Sequence, residues 1–170
     1  GIYALIAGGK GASDYLHDRV DAYDDQLTRT SPENLSVNRE WAKGVSVGNY
    51  ALFGSGWTSS GRTSSVDAYD SELTLSAGQP LSLARDRTAA ASVGGYALIA
   101  GGHTGFGYSK TVDVYDTELT HMGLSLATSR NGPVGTCAGG FALIAGGYNG
   151  QYLNSVETFD DELTRSSATA

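Results

Sequence analysis

Short apolar runs closed by glycines recur along the chain. Tyr3-Ala-Leu-Ile-Ala-Gly-Gly9, Tyr50-Ala-Leu-Phe-Gly-Ser-Gly56, Tyr96-Ala-Leu-Ile-Ala-Gly-Gly102 and Phe141-Ala-Leu-Ile-Ala-Gly-Gly147 begin 47, 46 and 45 residues apart. Each run is too short for a helix and too apolar for a half-exposed strand, so it predicts a strand buried on both faces. A second run follows each: Val20-Asp-Ala-Tyr-Asp24, Val66-Asp-Ala-Tyr-Asp70, Val112-Asp-Val-Tyr-Asp116 and Val156-Glu-Thr-Phe-Asp160. Its β-branched and aromatic residues predict another strand. The closing Asp predicts a turn capped by its carboxylate.

Two weaker segments complete the unit. Thr28–Ser31, Thr74–Ala77 and Thr120–Gly123 predict a third strand after the turn. Trp41–Val47, Thr88–Val93 and Val134–Ala138 predict a fourth, built of small residues suited to a crowded axis. No segment holds an apolar period of 3.6 with caps, so helix should be nearly absent. Four short strands in about 46 residues, repeated, make a unit whose sheet faces stay dry only against a neighbouring sheet. The units run approximately over 1–40, 41–86, 87–131 and 132–170.

The double glycine after an aromatic-led strand, then Val-x-x-Tyr-Asp, then an Arg (Arg39, Arg85, Arg130) resembles the kelch repeat. The resemblance covers nearly the whole chain. It departs from the pattern where kelch units carry a Trp; Thr30, Ser76, Met122 and Ser166 stand there, and the Leu of each Leu-Thr pair is the candidate replacement. The resemblance implies an all-β fold, a kelch-like β-propeller or propeller segment of four-stranded blades with strands A to D running outward. The chain enters at strand B, so the first blade lacks its inner strand A. Four blades are few for such a ring. The expectation is an incomplete ring, part of a longer array, or a homo-oligomer that closes the ring.

In that order the B–C and D–A loops emerge on one face. The B–C loops vary while the framework recurs. They supply Trp57, Arg62, His103, Phe106, Tyr108, Tyr148 and Tyr152 as ligand-binding candidates; the D–A loops add Trp41 and Arg87. Aromatic and guanidinium groups on loops offer stacking surface and planar hydrogen bonding. Arg39, Arg85 and Arg130 recur with the framework and are read as structural, bonding backbone between units. Asp24, Asp70, Asp116 and Asp160 are read as turn caps, and the Asp14, His17, Asp18 group as a solvated loop. Cys137, in a small-residue inner strand, is read as a buried, inert thiol.

Net charge is −7 over 170 residues, which opposes phosphate-backbone binding, so no nucleic-acid partner is expected. One Cys rules out an internal disulfide framework, and no apolar run is long enough to cross a bilayer as a helix. No Met and no apolar leader open the sequence, and a Ser/Thr-rich, Lys-poor acidic surface suits a secreted or surface-exposed protein. No catalytic residue, metal site or cofactor is assigned. The expected function is a non-catalytic binding module for a protein or carbohydrate partner. The alternatives are a structural repeat component of a surface appendage or particle and a propeller-scaffold carbohydrate-active enzyme.

Overall fold

The computed structural model describes residues 3–168. It is all-β apart from one turn of 3₁₀ helix at Ala12–Asp14. The first sheet holds β1 (Ala4–Ala7), β2 (Val20–Tyr23) and β3 (Arg29–Thr30). The second holds β4 (Lys43–Val47), β5 (Tyr50–Gly54), β8 (Val66–Tyr69) and β9 (Leu75–Ala77), with a two-stranded ribbon, β6 (Trp57–Thr58) and β7 (Gly61–Arg62), rising from the β5–β8 connection. The third holds β10 (Ala89–Val93), β11 (Tyr96–Ala100), β12 (Thr111–Tyr115) and β13 (His121–Ser125). The fourth holds β14 (Val134–Ala138), β15 (Phe141–Ala145), β16 (Val156–Phe159) and β17 (Arg165–Ala168). Every pairing is antiparallel between strands consecutive in the chain, except that β5 pairs with β8 across the ribbon, and among the four sheets only the first lacks the inner strand.

Sheets stack face to face through one recurring junction. The alternation of the pleat gives each sheet two apolar faces. Leu98, Ala100, Val112 and Val114 of the third sheet bury against Ala142, Ile144 and Phe159 of the fourth, under Leu126 of the connecting loop. The same positions recur one junction earlier, where Leu52, Val66, Ala68 and Leu81 meet Ala97, Ile99 and Tyr115. Between the first two sheets, Val20 and Leu35 meet Phe53 and Tyr69.

Each junction also carries a buried ion pair. Arg39, Arg85 and Arg130 are fully buried. Their guanidinium groups meet Asp67, Asp113 (2.7 Å) and Glu157 (2.9 Å) on the third strand of the following sheet. They also donate to backbone carbonyls there: Arg39 to Ser65 (3.0 Å), Arg85 to Ile99 (3.1 Å), Arg130 to Gly146 (2.8 Å) and Ser155 (3.1 Å). Tyr69 and Tyr115 reach back, donating to the carbonyls of Glu33 (2.8 Å) and Gln79 (2.9 Å). The structural role expected for the three arginines is what the geometry shows, with a carboxylate added to the backbone partners.

The outer turns follow the sequence closely. Asp24 Oδ1 accepts from the amides of Gln26 (2.9 Å) and Thr28 (2.7 Å), and Asp70, Asp116 and Asp160 repeat the pattern. The turn closes through a residue in the left-handed region, a place glycine usually takes in three-residue hairpin loops. Here it is Leu27, Leu73, Leu119 and Leu163, with φ of 60°, 64°, 62° and 61°. Such backbone costs about 1–2 kcal/mol per residue. The two amide bonds to each Asp offset it, and Leu119 and Leu163 gain packing on the core, the role proposed for the replaced Trp. Leu27 gains none and is exposed.

Cys137 departs from expectation. Its thiol is exposed: register turns it toward the inner strand of the third sheet, where neighbours as small as Ser92 and Gly94 leave a gap between the two strands.

The acids of the junctions set a pH dependence. Burial pushes the Asp113 carboxyl up, but Arg85, the Ser82 amide and His121 outweigh it and hold the group below its ordinary value. Burial likewise raises Glu157, but the Ala127 amide, Arg165, the Thr128 amide and Arg130 together hold it below its ordinary value. A carboxyl depressed in the folded state gives stability that is present above its unfolded pKa, about 3.9 for Asp and 4.3 for Glu, and is lost as pH falls through the folded value. Thermal melts should therefore hold level down to about pH 5 and fall steadily below about pH 4. A melting temperature unchanged down to pH 2.5 would contradict the ionised pairs.

Candidate binding face

The variable loops are built on an invariant backbone frame. The residue after each junction arginine pairs with the first residue beyond the glycines of the next sheet: Glu40 with Trp57, Asp86 with His103, Asn131 with Tyr148. Each pair exchanges two backbone hydrogen bonds, at 3.0 and 2.8 Å, 3.2 and 2.9 Å, and 2.9 and 2.9 Å. The same loop residue then faces a partner across its own ribbon: Lys10 opposite Leu16, Trp57 opposite Arg62, His103 opposite Tyr108, Tyr148 opposite Tyr152. Both hypervariable loop positions of the sequence are thus cross-strand neighbours on one small sheet extension, and the D–A loop supplies its third strand.

The side chains on this frame form two connected groups. His103, Tyr108, Tyr148 and Tyr152 run edge to face, with ring centroids 5.7, 5.7 and 5.3 Å apart along the row. The amide of Gly105 donates to His103 Nδ1 at 2.9 Å and orients that ring. The second group is polar-aromatic. Arg62 stacks on Trp57 at 4.8 Å and donates through Nε to the buried Asp86 at 2.8 Å. Arg87 stacks on Trp41 at 4.3 Å. Guanidinium over indole is a favourable cation–π geometry, which pre-orients both planes.

Trp41 and Arg87 occupy equivalent positions, each two residues past a junction arginine, with φ of 58° and 53°. The third copy of the position is Gly132, φ 63°. Glycine is the unstrained choice there. The chain instead places a Trp and an Arg in left-handed backbone, both exposed and touching each other. Strain of this kind costs about 1–3 kcal/mol and persists where the surrounding backbone fixes it.

Of the nine candidate residues, Trp41, Trp57, Arg62, Arg87, His103, Tyr108, Tyr148 and Tyr152 all belong to these groups. Phe106 does not: it sits fully exposed at a loop tip. A groove of about 560 Å³ adjoins Trp57 between the loops of the first two sheets, lined by Lys10, Asp14, Tyr15, Leu16, Asn38 and Glu40 among others. Lys10 is held there by Asp14 at 2.8 Å. Sequence reasoning missed Asp86 and Glu40. Their signal is positional: each directly follows a junction arginine. Among the described residues no group of His, Cys, Asp and Glu is arranged to hold a metal ion.

No protein-family model matches the sequence, and no curated protein matches it. A solved structure, that of YjhT, superimposes with a TM-score of 0.72 at 15% identity, over 94% of this chain and 54% of that one. At that identity the likeness is one of fold. The chain spans about half the length of YjhT. No helix among the described residues is long and apolar enough to cross a membrane.

Proposed function

We propose that the chain is a segment of a kelch-like β-propeller, with each sheet a blade, and that it acts as a non-catalytic recognition module. The partner is a protein or a glycan, bound on the face that carries the B–C and D–A loops. One observation carries this: the backbone ties of that face repeat from sheet to sheet, while the residues they display change from Lys10 and Leu16 to Trp57 and Arg62, His103 and Tyr108, Tyr148 and Tyr152. A purely structural position keeps its side chain as it keeps its backbone, as the arginines and turn aspartates do. Exposed aromatic and guanidinium planes held in place lose little freedom on binding.

The test screens the chain on a glycan array and against extracellular protein libraries, beside a Trp57→Ala, Tyr108→Ala, Tyr148→Ala triple variant. Losing three aromatic contacts should weaken binding at least roughly a hundredfold, since central aromatic anchors contribute more than about 1 kcal/mol each. The circular dichroism spectrum should stay unchanged. Ligands that bind the variant as well as the parent would remove the face from consideration.

A further inference from the structure

Successive sheets meet on the loop face along seams, and two positions recur at each seam. One is the second ribbon position of the earlier sheet: Leu16, Arg62 or Tyr108. The other directly follows a junction arginine and is tied to the frame of the later sheet: Glu40, Asp86 or Asn131. Between the second and third sheets, Arg62 and Asp86 are joined at 2.8 Å, and the guanidinium rests on Trp57. Between the third and fourth sheets, the Tyr108 ring packs on Tyr148 at 5.7 Å. Between the first and second sheets the two positions are Leu16 and Glu40, and both line the groove of about 560 Å³.

A leucine side chain donates no hydrogen bond, so Glu40 lacks what Asp86 receives. Glu40 is half-buried, and among the described residues its carboxylate has no hydrogen-bond or ion-pair partner. The other charged groups of the groove, Lys10 and Asp14, are bonded to each other at 2.8 Å. Arg62, the cation beside Trp57, is committed to Asp86. One negative charge in the groove is therefore unmatched. Acceptors surround it. Asn38 spends its side-chain nitrogen on the Leu16 carbonyl at 2.9 Å and keeps its oxygen. Tyr15, 72% exposed, adds a ring at the rim on which a guanidinium can stack.

We propose that this groove seats an arginine side chain of a partner protein, whose guanidinium takes the place at Glu40 that Arg62 takes at Asp86. The inference rests on the recognition reading of the loop face and narrows the partner to a protein with an exposed arginine. The chain itself supplies the template, since the next seam is already filled by a guanidinium on an acid and an aromatic ring. The planar fork of donors suits a lone carboxylate better than a point charge does.

Fluorescence anisotropy at low salt with a labelled tetra-arginine peptide tests it, beside the neutral tetra-citrulline peptide of nearly the same shape. The arginine peptide should bind and the citrulline peptide should not. A net charge of −7 attracts any basic peptide weakly, so the variants carry the decision. Glu40→Gln should weaken arginine binding about tenfold or more, as the loss of one charge-assisted pair does. Glu72→Gln removes the same charge from an exposed outer turn and should leave affinity within about twofold. Lys10→Gln releases Asp14 to the groove and should tighten binding. Leu16→Arg installs the Arg62 arrangement inside the chain and should abolish binding while the circular dichroism spectrum stays unchanged. Equal binding of the two peptides, equal losses for Glu40→Gln and Glu72→Gln, or weaker binding by Lys10→Gln overturns the proposal. So does binding of a glucosamine tetrasaccharide in place of the peptide, which makes the seat one for an amino sugar. Tyr108 and Tyr148 lie outside the groove, so the two readings fail separately. No arginine binding, in a chain whose aromatic variant still loses its ligands, overturns this seat and leaves the recognition reading standing. Arginine binding that follows Glu40, in a chain whose aromatic variant loses no ligand, upholds the seat alone.

Discussion

Arg85→Met should destabilise the protein by about 3–5 kcal/mol, the range expected when one member of a buried ion pair is removed and the other stays charged and dry. For a chain of this length that is a fall in melting temperature of roughly 6–20 °C. Asp113 would keep the Ser82 amide (2.9 Å) and His121 (2.7 Å) but lose its only buried cation. Without Arg85 the folded-state carboxyl loses its largest lowering influence and rises from its depressed position. The difference between parent and variant should therefore shrink as pH falls and Asp113 takes up its proton, and the two converge in acid. The double replacement Arg85→Met, Asp113→Leu should cost much less than Arg85→Met alone. Arg85 leaves its Nε and Nη1 without partners, so removing both groups forfeits the Ile99 bond and those from Ser82 and His121 but leaves no charge buried alone. Equal losses for the single and double variants, read from denaturant titrations, would refute a buried charge as the cause.

Gly135→Val should be the most damaging change among the inner strands. A Cβ at Gly135 would lie against the backbone carbonyl of Ala90, on β10 of the neighbouring sheet. Backbone cannot rotate aside, so β10 and β14 must separate, and the packing of Ile144 and Phe159 loosens with them. Overpacking a fitted core costs about 1–3 kcal/mol, and a clash with main chain belongs at or beyond the top of that range. Gly44 is the contrast: its Cβ would meet only the Phe53 ring, at 3.0 Å, and a ring can turn. Because neighbouring repeats stabilise each other locally, the damage should concentrate in the fourth sheet. Hydrogen exchange should show protection lost across β14 to β17 and kept in β4 to β12. Uniform loss, or none, would contradict a wedge at that one seam.

The repeat made much of this architecture legible. The aspartate turn caps and the small residues of the inner strands follow from local pattern, while the order of strands and the missing inner strand of the first sheet came from the resemblance to the kelch repeat. What stayed hidden depends on contacts between units. Asp67, Asp113 and Glu157 lie 28, 28 and 27 residues beyond their arginines, and nothing local links them. Trp41 and Arg87 look unrelated in sequence because the third copy of their position is Gly132; only the shared positive φ reveals one site. The pairing of Trp57 with Arg62, and of His103 with Tyr108, needed the ribbon register. Cys137 was misjudged because a pattern of small residues marks an inner strand but not how closely the neighbouring inner strand fits against it.

The backbone ties from Glu40 to Trp57, Asp86 to His103 and Asn131 to Tyr148 use main-chain atoms alone. Anything except proline keeps them at five of those places; the sixth, Asp86, is buried under Arg62 and stays fixed. The chain therefore offers a ready scaffold for combinatorial libraries: side chains along one rim can be randomised and selected for new ligands while the foundation beneath them stays put.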